Sequence, residues 1–221
     1  LASHKHTDVI RGLALSPKGR SLVIGATAKH AEVANSAIVG EAIPALAELA
    51  GMIGDPAVRH RGTIGGSLAN NDPAADYPAA VLALGAVVKT NKRSIPAEDF
   101  FKGLFTTALE DGEIITAVSF PVPAKAGYAK MRHPASRFAL TGVFVVKTKA
   151  GDVRVAATGA SQSGVMRVAP IEQALKANWA ASALDSVTIP ASGLLADIHG
   201  SADYRANLVK VMGQRAVTAA G

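Results

Sequence analysis

One stretch decides both fold and chemistry: Arg59-His60-Arg61-Gly62-Thr63-Ile64-Gly65-Gly66-Ser67-Leu68-Ala69-Asn70-Asn71-Asp72-Pro73-Ala74-Ala75-Asp76. Rich in glycine and small polar residues, it reads as a loop between two helices. Glycines at 62, 65 and 66 let backbone N–H groups approach a ligand with no Cβ in the way, and they permit positive φ. Successive N–H groups in such a loop form a concave donor site suited to a phosphate or diphosphate. Thr63 and Ser67 add hydroxyl donors, and Arg59 and Arg61 place positive charge beside the loop. Asp72 and Asp76 would repel a phosphate at contact distance, so they are expected farther along, accepting hydrogen bonds from sugar hydroxyls. The combined picture is a diphosphate flanked by a ribose. The same residues also fit a plain glycine-rich turn with aspartate caps, and spacing alone leaves both readings open. The stretch is neither a Walker loop, since no Gly-Lys-Ser/Thr follows, nor a Gly-x-Gly-x-x-Gly fingerprint.

Upstream, the apolar run at residues 22–26 predicts a buried strand, with Thr27 capping a helix over 28–35. A second helix is expected over 41–52, where Ile43, Leu46, Ala47 and Ala50 share a face until Gly54-Asp55-Pro56 breaks it. Downstream, a short helix over 77–84 ends near Gly85. A hairpin over 86–90 and 93–95 and a strand over 114–122 follow. Residues 121–127, with two prolines and a glycine, are the best linker. Beyond it come a hairpin over 138–148 and 152–159, a helix from Pro170 to about 177, and a helix capped by Ser201 to about 217. In this last helix Tyr204, Leu208, Val211, Met212 and Arg215 share one face. The chain reads as α+β. A first domain over 1–127 precedes a smaller one over 128–221, expected to hold a three-stranded antiparallel sheet and helices.

Composition narrows the chemistry. With 221 residues, 49% apolar and 18% charged, the chain can bury a core without staples. Zero cysteines exclude disulfides, thiolate nucleophiles, Cys-bound zinc and any iron–sulfur cluster held by this chain. No apolar run is long enough to span a bilayer, and residues 1–6 lack the features of a secretory signal. The net charge of +6 is scattered, with no nucleic-acid-binding motif around it. His60, His133 and His199 lack metal-ligand spacing and are expected at the surface or as caps. Ser161-Gln162-Ser163-Gly164 lacks a nucleophile-elbow pattern, Trp179 reads as a packing residue, and no acid/base pair suggests hydrolysis.

Thr63-Ile64-Gly65-Gly66-Ser67-Leu68-Ala69-Asn70-Asn71-Asp72-Pro73-Ala74-Ala75-Asp76 closely resembles one family. This is the FAD-binding medium subunit of molybdenum hydroxylases, the xanthine dehydrogenase and aerobic carbon monoxide dehydrogenase group. The likeness extends to residues 22–30, to Ile53-Gly54 and Arg59-x-Arg61-Gly62, to residues 133–139 and to residues 201–217. One departure is Ser67, where the family usually has Asn.

The resemblance implies a phosphate loop at Thr63, Ile64, Gly65, Gly66 and Ser67, with Asn70 and Asp76 as polar contacts to the ribityl or ribose portion. It implies that Ile53 and Ile115 pack against the flavin ring. The family carries a second diphosphate motif in an N-terminal βαβ subdomain, and residues 1–13 match about where that subdomain ends, so the polypeptide is expected to start earlier. The implied activity is that of an oxidoreductase subunit using FAD. It would pass electrons from [2Fe–2S] clusters on a small partner subunit to NAD, a quinone or oxygen, after substrate oxidation at molybdopterin on a large partner. The implied assembly is a cytoplasmic dimer of heterotrimers, with no catalytic residue and no metal on this chain. Two alternatives remain: a flavin-free scaffold that only docks the partners, and a self-sufficient flavin reductase.

Overall fold

The computed structural model describes residues 12–16 and 18–221, so residues 1–11 of the expected subdomain boundary lie outside the described part. Strand β1 (Leu13–Leu15) pairs antiparallel with β2 (Ser21–Gly25), whose Leu22 and Ile24 point into the core. The helical layer follows as α1 (His30–Asn35), α2 (Ala37–Ala42), α3 (Pro44–Gly51), α4 (Pro56–Arg61), α5 (Ile64–Asn70) and α6 (Tyr77–Ala83).

Three expectations need correction here. Thr27 does not cap a helix; Lys29 precedes α1. Residues 28–30 are occupied bridging to 62–64, with His30 N donating to Gly62 O at 3.0 Å and Ile64 N to Ala28 O at 3.1 Å. The single helix expected over 41–52 breaks at Ile43, because Pro44 has no amide hydrogen and instead starts α3. The glycine-rich loop is two helices. Asp55 caps α4 by accepting from Val58 N at 2.9 Å, and Thr63 caps α5 by accepting from Gly66 N at 3.1 Å.

The chain then forms β3 (Val87–Thr90), β4 (Ser94–Pro96), α7 (Ala97–Phe100), β5 (Phe101–Gly103), β6 (Thr106–Thr107) and β7 (Ile115–Pro121). Strands β1-β2-β7-β3-β4 make one antiparallel sheet in that order. After residues 122–124 come β8 (Lys125–Arg132), β9 (Ala139–Lys147), β10 (Val153–Ser161) and β11 (Gly164–Arg167). They form a second sheet in the order β11-β10-β9-β8. This sheet has one strand more than the three expected. Positive φ at Gly164 turns the chain back after Ser161, so residues 164–167 pair with β10. Helix α8 (Ala169–Ala177), a 3₁₀ turn (Ala181–Leu184) and α9 (Ala202–Ala220) complete the chain.

Residues of the second sheet alternate between two cores, as the period of two requires. Phe144, Val146 and Ala156 join the core built by the helical layer and the first sheet, whereas Val143, Val145, Val155 and Ala157 join the core under α9. With both faces covered, β9 and β10 are almost continuously buried. Helix α9 presents Ala206, Val209, Met212, Ala216 and Val217 to that second core. The face expected to include Tyr204 and Arg215 is rotated: both are exposed, and Arg205 is buried instead.

Candidate functional site

The turn from β2 to α1 and the start of α5 are stitched together. Ala26 N donates to Thr116 O on β7 at 2.9 Å, and Gly65 N donates to Ala26 O at 2.8 Å. Ile64 N, Gly66 N and Ser67 N are likewise committed, to Ala28 O, Thr63 Oγ1 and Thr63 O. None of Gly62, Gly65 and Gly66 has positive φ. The concave, left-handed amide loop expected from the sequence is therefore the capped first turn of a helix.

The glycines serve close approach instead. A Cβ at Gly65 would sit 2.6 Å from Ala26 Cβ and 2.7 Å from the Ala26 carbonyl oxygen, so only hydrogen fits between α5 and β2. A Cβ at Gly62 would lie 2.5 Å from His30 Nε2. Gly66 differs: it is exposed, and its nearest neighbour would be Thr63 Oγ1 at 3.1 Å.

Beside this turn opens a cleft of about 140 Å3 that gathers Ile53, Ser67, Asn70 and Asp76 with His30 and Phe138. Four of the residues expected to contact a cofactor thus share one cavity. Thr63 and Gly66 lie one turn away at the start of α5, while Ile64 and Gly65 are buried behind it. Ile115 is not in the cleft; it is buried on β7, paired with Thr90. Arg59, expected to bring charge to the loop, turns away and donates to the Ile53 and Gly54 carbonyls at 3.0 and 3.3 Å. That bond fixes Ile53 at the cleft edge. Asp72 accepts from Ala74 N at 2.8 Å, a local turn contact.

Asp76 is only 3% exposed and anchors the floor. Tyr128 Oη donates to its Oδ1 at 2.5 Å, and the fully buried Lys130 ammonium lies 2.8 and 3.0 Å from its two oxygens. Burial pushes the Asp76 carboxyl above the ordinary carboxylate range, while Lys130 and Tyr128 pull it back down. A carboxylate has about four acceptor positions, so these contacts leave room for about one further donor.

His30 is 4% exposed, and burial lowers its pKa to about 4, so the ring is neutral at physiological pH. Its ring centroid lies 5.4 Å from that of Tyr77, whose hydroxyl is raised by burial. His30 Nδ1 and Tyr77 Oη are buried without hydrogen-bond partners. Sequence reading missed His30, Tyr128 and Lys130. The available signal was the apolar register of β8, which places Tyr128 and Lys130 on one face, but nothing local pointed either residue at Asp76.

Across Phe138 lies a larger cavity of about 350 Å3, bordered by His133, Leu140, Asp197, His199 and Arg205. His133 Nδ1 caps its own turn by accepting from Ser136 N, and His133 Nε2 lies 3.2 Å from His199 Nδ1. The buried Arg205 guanidinium donates to Leu140 O and Gly159 O, each at 2.6 Å, and to Asp197 Oδ2 at 2.7 Å. Among the described residues no group of three or more His, Asp and Glu is placed to hold a metal ion, and no helix is long and apolar enough to cross a membrane.

Comparison with known proteins identifies the family. The family model for the FAD binding domain in molybdopterin dehydrogenase matches residues 8–123. The nicotine 6-hydroxylase medium subunit of Paenarthrobacter nicotinovorans is 34% identical over 94% of this chain and 77% of its own length. The carbon monoxide dehydrogenase medium chain of Hydrogenophaga pseudoflava is 32% identical over 92% and 76%. Among solved structures, reconstituted CO dehydrogenase from Oligotropha carboxidovorans superimposes with a TM-score of 0.84 at 28% identity, covering 96% of this chain and 78% of that one. This chain belongs to the family of FAD-binding domains of molybdopterin dehydrogenases, whose members are subunits of oxidoreductases.

Proposed function

We propose that this chain holds FAD in the cleft beside α5 and relays electrons through it, as the flavoprotein subunit of a molybdopterin-containing hydroxylase or dehydrogenase. The observation that carries the proposal is the gathering of Ile53, Ser67, Asn70 and Asp76 in one cavity at the glycine turn. The donor set fits the cofactor. Thr63, Gly66 and Ser67 offer hydroxyls and an open backbone surface to the diphosphate, with Ile64 and Gly65 seating that turn on β2. Asn70 and the spare acceptor position of Asp76 suit the ribityl or ribose hydroxyls. Ile53 would pack against the ring system, and Ile115 would support it from β7. His30, which lines the same cleft and whose Nδ1 is buried without a partner, is a further sign of a polar occupant.

When bound, FAD supplies the redox chemistry, accepting an electron pair and passing it on. The chain's own residues position the cofactor and set access to it. The names of the relatives, medium chain and medium subunit, support partnership with a large molybdopterin subunit and a small [2Fe–2S] subunit. We assign the assembly as a cytoplasmic dimer of heterotrimers, and the chain as two domains meeting near residue 127.

The test is purification of the full-length protein, alone and with its partner subunits. It is expected to show flavin absorption or to take up added FAD. Gly66→Asp, at an exposed position where a Cβ needs the Thr63 hydroxyl at 3.1 Å to give by a few tenths of an ångström, is expected to fold, lose flavin and stop acceptor reduction. A Gly66→Asp complex with full activity and no flavin would establish the scaffold reading instead.

A further inference from the structure

We propose that His30 is a binding residue of the cleft, its imidazole hydrogen-bonded to an uncharged polar group of the occupant. The inference rests on the FAD reading and deepens it: the group contacted belongs to the ribityl or ring portion of the cofactor and not to its diphosphate. His30 lines the cleft with Ser67, Asn70 and Asp76, yet is only 4% exposed, and its Nδ1 lacks a partner. A buried polar atom without a partner carries a desolvation penalty, and native structures keep few of them, so such an atom on a side chain that lines a cavity points to a missing partner. The ring is also held in place. Its own backbone N–H donates to Gly62 O at 3.0 Å, Gly62 leaves no space for a Cβ beside Nε2, and Tyr77 packs at 5.4 Å.

Charge decides which part of the ligand His30 meets. A neutral imidazole offers one donor and one acceptor, the complement of a hydroxyl or of a ring N–H/C=O edge. Phosphate favours ionised donors, which burial denies to His30. The carboxylates of Asp72 and Asp76 also line the cleft and would repel a phosphate at contact distance, which leaves the diphosphate to the Thr63–Ser67 turn.

The experiment uses the full-length protein stripped of flavin and titrated with FAD, following the quenching of flavin fluorescence and the visible absorption band. His30→Leu and His30→Phe, which remove both nitrogens, are expected to weaken FAD binding about tenfold, the worth of one hydrogen bond. They should also shift the flavin band. His30→Gln, which keeps a donor and an acceptor, is expected to recover most of the affinity. The Phe and Gln variants carry the comparison should the Leu variant fail to fold. Unchanged affinity and spectrum in both apolar variants would overturn the inference, as would a Gln variant as weak as Phe, since His30 would then act only by packing. A wild-type protein that takes up no FAD is a different result: it overturns the FAD reading itself.

Discussion

The Gly65 amide donates to the Ala26 carbonyl at 2.8 Å, and the same approach leaves a Cβ at position 65 only 2.6 Å from Ala26 Cβ. Helix α5 is therefore pressed onto the end of β2, and the glycine pair divides its labour: Gly65 faces inward and Gly66 outward. Gly65→Ala is expected to cost about 1–3 kcal/mol, because backbone must move to admit the methyl group. Gly66→Ala, helical and open to solvent, is expected to be neutral or to stabilise by about 0.5–1 kcal/mol. Urea unfolding of the two variants checks the contrast.

Lys130→Met removes the only cation among the described residues within hydrogen-bond distance of Asp76, leaving a buried carboxylate that keeps its bond from Tyr128. The expected loss is about 3–5 kcal/mol. The double variant Asp76→Asn/Lys130→Met removes both charges and is expected to recover a large part of it. A double-mutant cycle by chemical denaturation measures the coupling.

The depressed pKa of His30 fixes the sign of one acid effect. Its folded value of about 4 lies below the unfolded value of 6.5, so the unfolded chain binds the extra proton first. The stability this group contributes is fully present above pH 6.5 and is lost as pH falls from there toward 4, by on the order of 1 kcal/mol at pH 5 after allowance for solvent screening. His30→Gln should flatten that part of the stability–pH curve, which thermal melts across the window will show.

Arg205 and Asp197 should respond unequally although they are paired at 2.7 Å. Arg205→Leu abandons two buried carbonyls, those of Leu140 and Gly159, and is expected to cost about 2–4 kcal/mol. Asp197→Asn, at a half-exposed partner that can still accept, is expected to cost less than about 1 kcal/mol. Differential scanning calorimetry of both variants is the check.

The strands were legible because burial imposes a pattern on them: β2, the β3–β4 pair and the β9–β10 hairpin all follow their apolar runs. Helix α5 was not, since two glycines in its first turn oppose helix formation. What makes it helical is the Thr63 cap and its seat on β2, the second a tertiary contact. The cleft was half legible for the same reason. Ser67, Asn70 and Asp76 lie within one motif, whereas Lys130 reaches Asp76 across 54 residues and His30 is brought in by its bridge to Gly62. Arg205 stood one residue from an expected core position, and only its carbonyl partners 46 and 65 residues away explain its burial.

Tyr128, Phe144, Val146 and Ala156, all beyond residue 124, complete the same buried cluster as Leu22, Ile24 and Tyr77. A chimera spliced between β7 and β8 of two relatives would transplant half of a fitted surface without its mate. A large substitution on one side of that seam therefore calls for a compensating one on the other.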